Sequence, residues 1–233
     1  MNLSLPGVLF VGFLLGLRHA FEPDHLAAVS TLATRQGRVW GSARLGIVWG
    51  LGHTLSIALV AIAVVLLGFH VPERFARIGD SVVAGLLVVL GTTVLARYAR
   101  GRWHMHGHSH DGSPHLHLHS HAHGQTHEHR HPTWDVRRAL GFGIAHGMAG
   151  SAAVLVLVVA SASTPATQAA YILAFGLGTI GGMLAVACAL GLIVRAASLT
   201  GARFATVLHV GSAVMSIVVG LLLGLRIVGE LVS

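Results

Sequence analysis

Six stretches of this chain are each long and apolar enough to cross a lipid bilayer, and that confines the fold before any single residue is considered. They run Leu3–Ala33, Ser42–Phe69, Gly79–Ala96, Val136–Ala162, Thr167–Val194 and Ala205–Val228. About 20 apolar residues span the hydrocarbon core, and a helix satisfies its own backbone polar groups there. The expected fold class is an all-α integral membrane protein of about six transmembrane helices. Several stretches exceed the minimum length, so tilting or kinking is expected. Only 10% of the 233 residues are charged, against about a quarter in a soluble domain. Without a basic region ahead of the first apolar run, a cleavable signal peptide is not expected. Cys188 is the sole cysteine, which excludes an internal disulfide and any Cys-x-x-Cys site.

A formal charge of +7 suggests nucleic acid at first sight, but its placement argues otherwise. The basic residues are all arginines, set mostly between the apolar runs. If the N-terminus lies on side one, side two receives Arg35, Arg38, Arg44, Arg97, Arg100, Arg102, Arg130, Arg137, Arg138, Arg195 and Arg203. Side one keeps Arg74, Arg77 and Arg226. The positive-inside rule then puts both termini outside and the loop between the halves in the cytoplasm. The partner implied is the lipid bilayer, with no nucleic acid.

That loop divides the chain into residues 1–100, a hydrophilic segment 101–133, and residues 134–233. The flanking halves echo each other. Gly16-Leu-Arg-His19 resembles Gly143-Ile-Ala-His146, and Gly50-Leu-Gly-His53-Thr54 resembles Gly176-Leu-Gly-Thr179-Ile180. A third pair sets Ile78-Gly79-Asp80-Ser81 beside Val210-Gly211-Ser212-Ala213. Each half holds three spans, an odd number, so the second unit must enter the membrane inverted. Two inverted three-helix repeats form a transporter architecture with its substrate site near the midplane.

The chemistry concentrates in Arg18-His19-Ala-Phe-Glu22-Pro23-Asp24-His25, inside the first apolar run. Ionisable groups at membrane depth cost at least a few kcal/mol each and mark a pathway. Arg18 and Glu22, four apart, are expected to neutralise each other. His19, Asp24 and His25 would point in different directions on a regular helix of 100° per residue. Pro23 offers a way out: it lacks an N–H, so the His19 carbonyl loses its helical partner and the helix is expected to break or kink there. Such a break would let the imidazoles and the carboxylate converge and free a carbonyl toward a cavity. His53 and His146, each between glycines, join them through the repeat. By the same alignment Thr179 stands opposite His53, Ser151 opposite Asp24 and Ala152 opposite His25. The candidate metal ligands are His19, Asp24, His25, His53 and His146. Imidazole with carboxylate suits Ni²⁺, Co²⁺, Zn²⁺ or Cu²⁺ rather than Mg²⁺, Ca²⁺ or Cu⁺.

Between His104 and His131 lie twelve of the 18 histidines, largely in alternation. Such a segment cannot form a core and is expected to be flexible without metal, gathering divalent ions weakly.

Arg18-His19-Ala20-Phe21-Glu22-Pro23-Asp24-His25-Leu26-Ala27-Ala28 resembles the His-x4-Asp-His signature of the nickel/cobalt transporter family (NiCoT). Leu51-Gly52-His53-Thr54 is similar to its second motif, and Gly141-Phe-Gly143-Ile-Ala-His146-Gly147-Met-Ala-Gly-Ser151 resembles the short, UreH-like branch. The resemblance implies a non-enzymatic carrier of Ni²⁺ or Co²⁺ across the bacterial cytoplasmic membrane, with the ion as cargo and no prosthetic group. His19, Asp24, His25 and His53 are the positions it matches. It also implies cytoplasmic receivers, a metallochaperone or nickel-enzyme maturation proteins. Uptake fits the energetics: about 2.3 kcal/mol per charge per 100 mV favours entry of a dication into a negative cell by about 4.6 kcal/mol. Three other readings use the same residues: proton-coupled efflux of Ni²⁺, Co²⁺ or Zn²⁺, a membrane metal store, and a membrane metalloenzyme. The last lacks a His-Glu-x-x-His pattern.

Overall fold

The computed structural model describes residues 4–33, 39–67, 73–100, 104–110, 113–119, 136–148, 164–200 and 202–232. Its helices are α1 (Leu5–His19), α2 (Pro23–Ala33), α3 (Val39–Leu67), α4 (Glu73–Ala99), α5 (136–148), α6 (Pro165–Thr200) and α7 (Ala202–Val232). Four of them, α3, α4, α6 and α7, hold apolar spans of Val39–Ala63, Ala76–Ala99, Pro165–Ala197 and Arg203–Glu230. The protein is a multi-pass membrane protein whose spans are helical over the described residues.

The first apolar stretch is two helices rather than one. At 15 residues, α1 is roughly 22 Å long, too short to span alone. Together with α2 it is long and apolar enough to span, bent by 60° at the break. The fourth expected stretch is helical over 136–148; its remainder, with Ser151 and Ala152, lies outside the described residues.

In the His-rich segment, strands β1 (His104–His110) and β2 (Ser113–His119) pair antiparallel, with His106 opposite His117. Over these residues the segment is a two-stranded hairpin. Alternation at period two is a strand pattern, and Asp-Gly between two strands is a favoured hairpin link.

α2 is the innermost element. Every residue from Ala27 to Ala33 is buried, and the helix touches α3, α4, α6 and α7. Its residues are mostly small, and its hydroxyls are satisfied locally: Ser30 Oγ and Thr31 Oγ1 donate to the Ala27 carbonyl at 3.0 and 2.8 Å. Thr31 also donates to the Ser212 carbonyl at 3.1 Å, tying α2 to α7.

Around α2 the long helices meet backbone to backbone at glycines. α1 lies on α6 where Gly16 faces the Phe175 carbonyl and Gly178 faces Phe13 and Leu17. α5 lies on α3 in the same manner: Gly143 faces the Trp49 carbonyl, and Gly52 faces Leu140 and Ile144. α4 and α7 meet at Gly91, against Ala213 and Ile217, and at Gly220, against Ala84 and Val88.

A methyl group at Gly16 or Gly143 would overlap a backbone carbonyl of the facing helix, which no rotamer change relieves. Gly16→Ala and Gly143→Ala are expected to destabilise the protein by about 1–3 kcal/mol or more, read as a lower melting temperature in detergent. Gly85 and Gly181 face open space, and Gly→Ala there should be neutral or mildly stabilising.

Candidate metal centre

The break after α1 is built from the chain's own hydrogen bonds. Ala20 N–H still donates to the Gly16 carbonyl at 3.2 Å, but Phe21 and Glu22 donate to Arg18 and His19, three residues back, at 2.9 and 3.0 Å. Pro23 then opens α2 at the first helical position, where a missing N–H costs nothing. The expected break is present, yet the His19 carbonyl is not freed: the Glu22 N–H has taken it. What the break changes is side-chain direction.

Five residues converge as a result, and they are the five singled out from the sequence. The imidazole centroid of His25 lies 4.5 Å from that of His19, 5.1 Å from that of His53 and 4.1 Å from that of His146. All four histidines are buried. His19, His25 and His53 each offer a ligand atom within 4.8 Å of the others, and so do Asp24, His25 and His146. α1, the break, α2, α3 and α5 all contribute, so the centre exists only when both halves pack.

Two carboxylates decide where the imidazole protons sit. Asp24 Oδ1 lies 2.9 Å from His25 Nδ1 and Oδ2 lies 2.9 Å from His146 Nε2. Glu22 Oε2 lies 3.0 Å from His19 Nδ1. An ionised carboxylate only accepts, so Nδ1 of His19, Nδ1 of His25 and Nε2 of His146 carry the hydrogens. His19 and His25 are left with bare Nε2 lone pairs. His53 then donates from Nε2 to His19 Nε2 at 3.0 Å, leaving its own Nδ1 bare. Among the described residues, the buried His25 Nε2 and His53 Nδ1 have no hydrogen-bond partner. Buried polar atoms without partners are uncommon, and unprotonated imidazole nitrogens are what a dication requires.

A family model described as "High-affinity nickel-transport protein" (NicO) matches residues 6–232. The chain belongs to the NicO family. It is also 31% identical over 174 residues to the urease accessory protein UreH of Bacillus sp. (strain TB-90), covering 75% of this chain and 72% of the relative. No solved structure matches.

One neighbour of this NicO centre differs from what the sequence implied, and one agrees with it. Glu22 was expected to neutralise Arg18; it pairs with His19 instead, because the 3-residue hydrogen bonds of the break rotate it off the α1 face. Thr179, the counterpart of His53, donates its hydroxyl to the Gly16 and Phe175 carbonyls at 3.3 and 3.0 Å, so it pins α1 to α6 and stands outside both ligand sets. Trp49 was not singled out: its ring lies 5.9 Å from that of His146, and its buried Nε1 has no partner among the described residues. An aromatic in an apolar helix carries no sign of this in the sequence.

Thr179→Val should therefore lower stability by about 1 kcal/mol and leave metal affinity unchanged. Thermal melting paired with Ni²⁺ titration of the purified protein checks both. A marked loss of affinity would add Thr179 to the ligands.

Proposed function

We propose that this protein is a secondary transporter that carries Ni²⁺, or Co²⁺, inward across the cytoplasmic membrane. The ion is bound by His19, His25 and His53, while Asp24, His25 and His146 form a second set that shares His25 and supplies the negative charge. Glu22 and Asp24 orient the rings, as carboxylates commonly do for metal-ligating histidines. The observation that carries this reading is the pair of unpartnered imidazole nitrogens, His25 Nε2 and His53 Nδ1, buried among apolar helices. Membership of a nickel-transport family supports the same cargo.

Residues 1–100 and 134–233 act as two inverted three-helix units joined by the His-rich segment 101–133. The helix contacts support this. Shifting by 127 residues in α1 and by 126 in α3 turns the Gly16–Phe175 contact into Gly143–Trp49, with the two partners exchanged, and Gly178–Phe13 into Gly52–Leu140. Over α4 and α7 the exchange runs at 129 residues, Gly91–Ala213 becoming Gly220–Ala84, in place of the 132 suggested by the sequence alignment. Glycine contacts between units let one unit rock on the other about the central site. Arginine placement supports external termini and a cytoplasmic His-rich segment, which receives the ion and passes it to maturation proteins of a nickel enzyme. The likeness to a urease accessory protein fits that destination.

Radioactive Ni²⁺ flux into proteoliposomes tests the reading. Wild type should load the vesicles, and His25→Ala, which removes the residue common to both sets, should not. Glu22→Gln keeps shape but loses the charge that holds His19 and should weaken Ni²⁺ binding roughly 10–100-fold. Equal flux in wild type and His25→Ala would reject the site. Direction is read in cells: accumulation of nickel on expression supports uptake, and depletion reverses it.

A further inference from the structure

Five histidines are buried among the described residues, and the central cluster uses four of them. The fifth, His209, sits within the α7 span, where an ionisable group marks a pathway. α4 carries a matching anomaly: Asp80, half-buried within its own span. The two are related. At the 129-residue shift that exchanges the α4 and α7 contacts, Asp80 falls on His209 and Leu87 on Ser216. Ser216 Oγ donates to the Leu87 carbonyl at 2.9 Å, so those two equivalent positions meet where the helices cross. The helices run antiparallel there, since Gly91 meets Ala213 while Ala84 meets Gly220. Asp80 and His209 each precede the crossing by seven residues, roughly 10 Å along the helix, and so lie on opposite sides of it.

Each is also connected to the centre. α4 packs against α2, and Asp80, four residues before the Ala84 that meets Gly220, stands toward the end of α7 that carries Arg226 and Glu230. The latter two pair at 2.9 Å near the end of α7. His209 lies on the side toward which α2 runs from His25. Thr31, six residues beyond His25, donates to the Ser212 carbonyl at 3.1 Å, and Ser212 Oγ donates to the His209 carbonyl at 2.9 Å. His209 and Ser212, three apart, share a face of α7.

We propose that Asp80 and His209 are the outer ligands of the ion path, one on each side of the central cluster. This rests on the transport reading of that cluster. Asp80 takes the dication at the end of the protein that carries Arg226 and Glu230 and passes it toward Asp24 and His146. His209 takes it from the His25 side, along α2, toward the arginine-rich side. An oxygen ligand on one side and a single imidazole on the other hold a borderline dication more weakly than the central imidazoles, and a waystation must release what it binds.

Two measurements decide it. Asp80→Asn and His209→Gln preserve volume and hydrogen-bonding capacity. Each should cut Ni²⁺ flux into proteoliposomes roughly tenfold or more, while equilibrium Co²⁺ titration of the purified variants keeps the wild-type central affinity. Asp80→Cys and His209→Cys, each combined with Cys188→Ser, place a thiol at either position. Co²⁺ should slow maleimide labelling at both, which a purely structural role would not produce. Wild-type flux in both isosteric variants, or labelling indifferent to Co²⁺, overturns the proposal. His25→Ala separates the two failures. If it is inactive while both outer variants transport normally, only the outer ligands are rejected. If it transports normally, the central reading falls and takes this one with it.

Discussion

Everything in this protein depends on hydrogen bonds between carboxylates and imidazoles inside an apolar bundle. A lone Asp or His at such depth costs several kcal/mol, and even a paired one must satisfy its remaining polar atoms. Asp24 meets the problem by accepting from His25 and His146 at once, while Glu22, exposed at the break, accepts from His19. Satisfying the acids simultaneously exposes the bases. Each proton drawn to a carboxylate leaves a lone pair on the opposite ring nitrogen, and at His25 no protein group fills it.

That arrangement requires helices that approach more closely than side chains normally allow. Gly16 and Gly178 bring α1 onto α6, and Gly52, Gly143 and Gly147 bring α5 onto α3, with the backbone of His53 against Gly147. His19 and His146 are carried to the centre on those two contacts. The glycines thus have a chemical consequence: they set the separation at which imidazoles from α1, α2, α3 and α5 share one space. In lipid, where association gains little from apolar burial, close backbone packing is also the main attraction between helices.

Much of this was legible in the sequence because it is written in residue types that bilayers rarely tolerate. His19, Asp24, His25, His53 and His146 stand out against an apolar background, and Pro23 announced the break. What was not legible depends on three-dimensional direction. Arg18 and Glu22 are four apart and would pair on an unbroken helix; the broken turn gives Glu22 to His19. Thr179 aligned with His53, but a hydroxyl in a helix finds its own i−4 carbonyl, and it does so here. At the 132-residue offset of the third sequence pair, Asp80 and His209 are not matched. Gly-containing apolar segments align with each other at several shifts, and only the paired contacts of α4 and α7 discriminate among them.

The exchange of contacts between the halves carries a mechanical implication. Where Gly16 meets Phe175, Gly143 meets Trp49; Phe175 lies 5.5 Å from the His19 ring and Trp49 lies 5.9 Å from the His146 ring. Each half therefore places an aromatic on α3 or α6 against the leading histidine of the other half. Chemistry breaks this symmetry, since the first half adds Glu22, Asp24, His25 and His53 while Thr179 occupies the place of His53. A rocking motion between equivalent interfaces needs near-equal contacts in both states, whereas binding needs strong ligands at one place. Under the proposed transport function, concentrating the ligands on the first half and leaving the interhelical contacts paired would hold an ion firmly without locking the motion that releases it.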